Sequence, residues 1–461
     1  MERQRRKSLL LNRLIIRPGS ALLCLLCALS VAQAAPQREP FSFGKVDLEL
    51  WEQINELDKK FEQSGLVYEE KALAAYLDEV GRSLLGPADL QLEHVRWRFR
   101  ALRSPAVNAF AMPNGSIYVH TGLLARLENE AQLAGVLAHE IIHVRNRHSY
   151  LEYRSARKKS VAIHVIGAVE EAFTGLGVVT IASGVFLQLS MFGYSREMEK
   201  EADLEGLKRL RPARYDPREM AETFRLMQQE FEVELYRKLP TFYSDHPKLK
   251  DRVDYLSRAL DQMGEQPPLP TEETGGQRNR YLSRCAAVTR HNVTLAIEAG
   301  LYRTALALAR KNLEVEANSA DNLVSLAQAF AALGPRTAVP TDEELSGKGK
   351  GETRKLKKKT TLDEEEQALA ATSAGQELRK QNFAEAEKLY LQAVELDAKH
   401  ADAQRGLGFL YEKMKRPEQA VAAYRKYVDI RPGAMDRLLI MRRIRTLESQ
   451  NGTNAQPAPP Q

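Results

Sequence analysis

The residues best placed to do chemistry are His139-Glu140-Ile141-Ile142-His143. On a helix the two histidines sit four apart on one face, and both rings can reach a single metal ion. Glu140 lies about 100° around the helix from His139, where its carboxylate can reach a water on that metal. Zinc suits such a set, because it lowers the pKa of its water to about 7 and polarises a scissile carbonyl. The glutamate would take the proton from that water and hand it to the leaving amine. The expectation is one Zn2+ per chain, with His139 and His143 as ligands and Glu140 as the catalytic base. Leu133, Val136 and Leu137 give the segment the apolar character of a buried helix. Two surface histidines beside a solvated glutamate would not need it.

A catalytic zinc usually takes a third protein ligand and keeps one position open. The candidates lie in Tyr194-Ser-Arg-Glu-Met-Glu-Lys-Glu-Ala-Asp203, followed by Leu204 and Gly206. Glu197, Glu199 and Glu201 compete, and spacing alone does not choose among them. Glu199 and Asp203 are four apart, so one carboxylate could bind zinc while the other supports a histidine ring. A plain acidic helix face would show the same run.

These residues need elements to hold them. Leu50, Ile54, Leu57 and Phe61 recur at helical spacing within 41–66, and a second helix is expected over about 69–85. The period then changes. Val95, Trp97 and Phe99 alternate with Arg96, Arg98 and Arg100, the pattern of a half-buried strand. Asn114-Gly115 separates two β-type runs, Val107-Asn-Ala-Phe-Ala111 and Ser116-Ile-Tyr-Val-His120, and so predicts a hairpin. A small sheet thus precedes one long helix over roughly 128–148. Residues 172–194 carry no formal charge over 23 positions, long enough to span a bilayer. Four glycines within them favour a buried helix or a cover over a cleft. Membrane contact is the second reading.

The chain has 461 residues, 43% hydrophobic and 28% charged, which excludes wholesale disorder and suggests two to four domains. Its formal charge of +6 invites a nucleic-acid reading. Residues 1–34 alone carry a net +5, in Arg3, Arg5, Arg6, Lys7, Arg13 and Arg17 against Glu2. A basic leader, the apolar run from Ala21 to Val31 and Ala32-Gln-Ala34 form a secretory signal peptide, with cleavage expected near Ala34. Without it the chain is nearly neutral, and no motif for nucleic acid remains. Two of the three cysteines lie in the leader, so only Cys285 would remain and no intrachain disulfide is possible. The expected destination is the periplasm.

Further along, Pro267-Pro-Leu-Pro-Thr-Glu-Glu-Thr-Gly-Gly276 reads as a linker. A second break has Gly347-Lys-Gly-Lys-Gly351, Lys357-Lys-Lys359 and Glu364-Glu-Glu366, the charge blocks of a solvated connector. Between and after them lies a period of about 34 residues. Leu407, Gly408, Tyr411, Ala420, Tyr424 and Pro432 fall where a tetratricopeptide repeat (TPR) wants small, large and terminating residues. Ala386, Tyr390 and Ala393 fit one period earlier, and Leu301, Tyr302, Ala305, Leu326, Ala327 and Phe330 make a weaker copy. Tyr427 departs from the usual small residue. Such helix pairs bury their apolar faces only by stacking.

Three segments together resemble a family: Asn108-Ala-Phe-Ala-Met-Pro-Asn-Gly-Ser-Ile-Tyr-Val, Leu133-Ala-Gly-Val-Leu-Ala-His-Glu-Ile-Ile-His-Val and Ser195-Arg-Glu-Met-Glu-Lys-Glu-Ala-Asp. They are similar to the HtpX-like zinc metallopeptidases, which include the CAAX prenyl endopeptidases. The exported, TPR-bearing branch of that family is the nearest likeness. The resemblance covers roughly 41–260 and, more loosely, 281–436. It implies Glu199 as the third ligand, with Asp203 supporting a ligand ring. It also implies a role at the zinc site, as an extra ligand or gate, for His246, which by itself reads as a turn residue. The implied fold is mainly α (α+β): a zincin-type core with a small sheet, then α-helical TPR repeats. Divided along the chain, this gives a signal peptide over 1–34, a peptidase domain over 35–262 and a linker over 263–280. TPR-like helices over 281–334, a charged linker over 335–364, repeats over 365–436 and a C-terminal helix end with a tail over 437–461 follow.

An edge strand in such folds holds an extended substrate backbone. Asn108, Ala109 and Phe110 are the leading choice here, with 116–119 as the other. The implied function is an endopeptidase for misfolded or stalled periplasmic proteins, supporting outer-membrane protein assembly through partners docked on the TPRs. The rivals are a non-proteolytic chaperone or adaptor with a structural zinc, and a membrane-anchored or peripherally attached protease.

Overall fold

The computed structural model describes residues 41–158, 194–233, 249–264, 271–338 and 367–453. The signal-peptide reading of 1–34, nearly all of the uncharged segment 172–194 and His246 lie outside these residues. The elements below belong to one compact unit, Lys45–Gln461.

Helix α1 (Lys45–Gln63) buries the Leu50, Ile54, Leu57 and Phe61 stripe that its period predicts, and α2 (Lys71–Ser83) follows. The sheet has three strands, β1 (Arg98–Leu102), β2 (Ala109–Ala111) and β3 (Ser116–His120), in the order β1-β3-β2. Strand β3 runs parallel to β1 and antiparallel to β2, with Phe110 opposite Tyr118. The expected hairpin forms at Asn114-Gly115. Gly115 has a φ of +95°, and a Cβ there would come within 2.9 Å of the Arg96 backbone. The alternating run from Val95 enters the sheet only at Arg98, so the first strand starts later than its pattern predicts.

After the short α3 (Thr121–Arg126) comes α4 (Glu130–Arg145), whose first turn is capped by Asn129 accepting from Gln132 N–H at 2.9 Å. From Glu130 to Val144 every residue of α4 is buried. The single helix expected over 128–148 is corrected here. It stops at Arg145, Arg147 takes a left-handed φ of 58°, and a new helix, α5 (His148–Lys158), starts in another direction. Helices α6 (Arg196–Leu210), α7 (Arg218–Val233) and α8 (Leu249–Gln262) complete the layer around α4.

Helix α9 (Thr271–Glu298) runs unbroken through the second half of the expected linker, so residues 271–280 are helix. The Gly-Gly pair there is overridden by tertiary burial. Tyr281, Leu282, Cys285 and Val288 insert into the core formed by the sheet, α2, α4, α6, α7 and α8. Further along the same helix, Val293 and Ala296 belong to a second core. That core continues through α10 (Tyr302–Val315), α11 (Ala320–Leu333), α12 (Ser373–Leu396), α13 (Ala401–Lys413), α14 (Pro417–Ile430) and α15 (Arg437–Thr453).

The charged connector does not divide the stack. Helices α11 and α12 pack directly together, and Asn382 donates to the Gly334 carbonyl at 2.8 Å and to that of Arg336 at 3.1 Å. The bulky Tyr427 is accommodated because its hydroxyl donates to Asp436 at 2.6 Å. Lys311 of α10 reaches back to the end of α3, donating to the carbonyls of Ala125, Arg126 and Leu127 at 3.2, 3.2 and 2.5 Å. A cation satisfies the acceptors that a helix C-terminus leaves open. No helix among the described residues is long and apolar enough to cross a membrane.

Candidate metal centre

Helix α4 presents His139 and His143 on one face, one turn apart. Their Nε2 atoms stand 3.0 Å from each other. Glu199, in the first turn of α6, brings Oε1 to 3.4 Å from His143 Nε2 and Oε2 to 3.7 Å from His139 Nε2. Ser195 caps that turn by accepting from Met198 N–H. Among the described residues these three form the group whose donor atoms converge as a metal ion requires, all within 4.8 Å of one another, and all three are buried.

The two helices meet closely because residue 206 has no side chain. A Cβ on Gly206 would come within 3.2 Å of both the Ala138 carbonyl carbon and the His139 nitrogen. The three glutamates of α6 are thereby told apart. Glu199 is buried and faces the histidines, while Glu197 is exposed. Glu201 lies to one side, where it accepts from Asn146 Nδ2 at 2.6 Å. Lys200 is exposed, with its ammonium 6.0 Å from the centre of the Tyr255 ring.

Asp203 lies one turn beyond Glu199, fully buried, with Oδ1 at 2.8 Å from His139 Nδ1. Arg252 of α8, also buried, donates to it from Nη2 at 2.6 Å and from Nε at 2.8 Å, and Tyr255 donates its hydroxyl. Burial by itself would raise the Asp203 carboxyl, but the charge of Arg252 and the contact with His139 outweigh it. The carboxyl is held well below the ordinary carboxylate range. Arg252 Nη1 also lies 3.2 Å from Glu199 Oε2, and the guanidinium covers the Phe224 ring at 4.1 Å. On the other flank Tyr194 stacks on His143, with ring centres 3.8 Å apart.

The donor set fits a divalent cation. Two imidazole nitrogens and a carboxylate oxygen are ligands that zinc accepts. Two Nε2 atoms facing at 3.0 Å would oppose their lone pairs unless a cation or proton lay between them. Glu140, fully buried beside the histidines, Glu199 and Asp203 outnumber Arg252, so the buried set holds a formal excess of two negative charges. A divalent cation cancels it.

The sheet offers its outer edge at β2, which packs against α4. Strand β3 is central and paired on both sides, so 116–119 provides no edge. His120 N–H donates to the Asn108 carbonyl and Met112 N–H to that of Ser116, so the main-chain groups of Ala109 and Ala111 point outward. Asn108 is buried and its side chain accepts from Ala109 N–H at 2.8 Å. The Phe110 ring is buried against Tyr118.

Sequence reasoning missed Arg252, Tyr255, His148 and Tyr194. Nothing in their local spacing marks them: Arg252, Tyr255 and Tyr194 reach the site through tertiary packing, and His148 through the turn that follows α4.

A metal centre shared by a His-Glu-x-x-His helix and a second, acidic helix defines a metallopeptidase class. Residues 71–260 match the model of peptidase family M48. Residues 404–433 match a tetratricopeptide repeat model. Among curated relatives, the metalloendopeptidase OMA1, mitochondrial, of Bos taurus is 28% identical over 236 residues, 48% of this chain and 42% of its own. The mitochondrial metalloendopeptidase OMA1 of Arabidopsis thaliana is 33% identical over 37% of this chain and 33% of its own. The beta-barrel assembly-enhancing protease of Escherichia coli (strain K12) is 26% identical over 45% of this chain and 39% of its own. The chain thus spans less than half the length of each of these three relatives.

Proposed function

We infer that the chain is a zinc-dependent endopeptidase that cuts misfolded or stalled proteins. The observation that carries this reading is the meeting of His139, His143 and Glu199 beside a buried Glu140. His139 and His143 would hold zinc through Nε2, and Glu199 through a carboxylate oxygen. Bound there, zinc supplies the positive charge that polarises a peptide carbonyl and makes water more acidic. Glu140 accepts the proton of the attacking water and delivers it to the leaving amine nitrogen. Asp203 accepts from His139 Nδ1, which leaves the Nε2 lone pair for the metal. Arg252 keeps Asp203 ionised and orients it together with Glu199.

The substrate backbone would pair with Ala109 and Ala111 along β2, displacing the Asn108 side chain from Ala109 N–H. Main-chain pairing tolerates varied side chains and requires an extended strand. An enzyme that selects unfolded or looped protein needs both properties. The basic leader over 1–34 supports a periplasmic location, and the E. coli relative's name supports a task in β-barrel assembly. The stack from α9 to α15 would dock substrate or the outer-membrane assembly machinery.

The test is Glu140→Gln in the full chain. The variant should keep about one zinc per chain by metal analysis and lose casein hydrolysis. A zinc-loaded Glu140→Gln protein that still degrades casein at the original rate would overturn the assignment. The same variant, used as a substrate trap, would identify the proteins that remain bound.

A further inference from the structure

His143 has a second partner whose geometry fixes more than its position. Its Nδ1 lies 2.9 Å from Nδ1 of His148, which is itself buried. On the far side of the His148 ring, Nε2 lies 3.6 Å from Glu201 Oε2. Glu201 is steadied in turn by Asn146, the residue that ends α4, through its other oxygen at 2.6 Å. The chain reaches this arrangement by the left-handed turn at Arg147. On a continued helix, five residues beyond His143, the His148 ring would point about 140° away.

The tautomers follow from one requirement. His143 must offer a lone pair at Nε2 to serve the metal, so its proton sits on Nδ1 and is donated to His148. His148 must then accept at its own Nδ1 and carry its proton on Nε2, the atom that faces Glu201. We propose that His148 is a positioning residue of the metal centre, holding the His143 ring in its metal-binding tautomer and orientation, with Glu201 fixing the tautomer of His148. The two ligand histidines are therefore supported differently: His139 by a carboxylate directly, His143 by an imidazole backed by a carboxylate. Tyr194 stacked on the His143 ring restrains rotation about the remaining axis.

The inference rests on the zinc reading above, and the experiment separates the two. Zinc dissociation constants are measured by competition with a chromophoric chelator for the full chain and for His148→Leu, His148→Phe and His148→Asn, without any peptide substrate. Loss of an orienting partner typically weakens metal binding by about 10–100-fold, and that loss is expected for Leu and Phe. Asn places its side-chain oxygen near the position of Nδ1, so His148→Asn should stay within about threefold of the original affinity. Thermal unfolding of the metal-free proteins identifies any variant that fails to fold. If Leu fails, Phe supplies the comparison, and the Asn result stands by itself. Unchanged affinity in a folded Leu or Phe variant, or a tenfold loss in folded His148→Asn, overturns the role of His148. Failure of the unaltered chain to bind zinc overturns the peptidase reading instead.

Discussion

Replacing Arg252 by methionine removes the guanidinium that faces both Asp203 and Glu199 while roughly keeping its volume. Asp203 would be left with His139 and the Tyr255 hydroxyl, and it is fully buried. Removing one partner of a buried ion pair typically costs about 3–5 kcal/mol, because the remaining charge is neither solvated nor paired. Loss of the cation–π contact with Phe224, at 4.1 Å, adds about 1 kcal/mol. Asp203→Asn alone should cost about 3 kcal/mol for the same reason, since it leaves Arg252 facing Glu199 alone. The double variant Arg252→Met/Asp203→Asn has no unpaired charge from this pair. Its cost should fall short of the sum of the single costs by about 2–3 kcal/mol.

The cycle is best run on metal-free protein, because a bound ion would add its own linkage to every stability. Two cores share α9, so a single unfolding transition is not assured and a global midpoint is a poor readout. Hydrogen exchange at the amides of residues 139–144 gives the opening free energy of α4 itself. Coupling below about 0.5 kcal/mol would mean additive, independent residues. It would refute the claim that Arg252 acts by compensating Asp203.

Gly206→Leu should separate α4 from α6, since even a Cβ there meets the Ala138–His139 backbone at 3.2 Å. We expect at least a tenfold loss of zinc affinity with secondary structure retained by circular dichroism, a loss on the scale of a displaced supporting partner. Glu199→Gln should lose most of its zinc by metal analysis while Glu197→Gln, altered at an exposed position, keeps it; the reverse would transfer the ligand role. Asp89 is a pH prediction away from the metal: burial would raise its carboxyl, but bonds from Arg209 and Gly86 N–H and the charge of Arg145 hold it below its ordinary value. A depressed folded pKa stabilises the protein above the unfolded value of about 3.9 and is lost as pH falls through the folded value. Asp89→Asn should therefore lower the hydrogen-exchange opening free energy of α6, whose Arg209 it binds, at neutral pH, and the difference from the parent should shrink in acid below about pH 4.

What could be read from the sequence was whatever the local helix period brings together. His139 with His143, and Glu199 with Asp203, are pairs four apart, and each pair lies on one face of one helix in the structure. The hairpin at Asn114-Gly115 was legible for the same local reason. Within the expected linker, residues 271–280 are helix because composition and burial disagree there. Threonine, glutamate and two glycines suit a loop, but α9 gains more by inserting Tyr281, Leu282, Cys285 and Val288 into the first core than its glycines lose. The repeat stack likewise survives the charged connector, because α11 and α12 supply each other's apolar partners across it.

The supporting residues were illegible for a different reason. Arg252 is 49 positions from Asp203, and its own neighbours read as an ordinary amphipathic helix. His148 was hidden by the expectation that α4 would continue. A break at Asn146-Arg147 carries neither glycine nor proline, so its local signal is only Asn146, a weaker helix stop than glycine. Yet charge alone narrows the search. A histidine pair with two or three buried carboxylates requires compensating cations, and a divalent metal supplies two charges at most. A third buried carboxylate therefore demands one further cation from the chain. Arg252, among the most buried large side chains of the protein, meets that demand. A buried arginine beside a metal-ligand helix should accordingly be sought wherever three carboxylates converge on one ion.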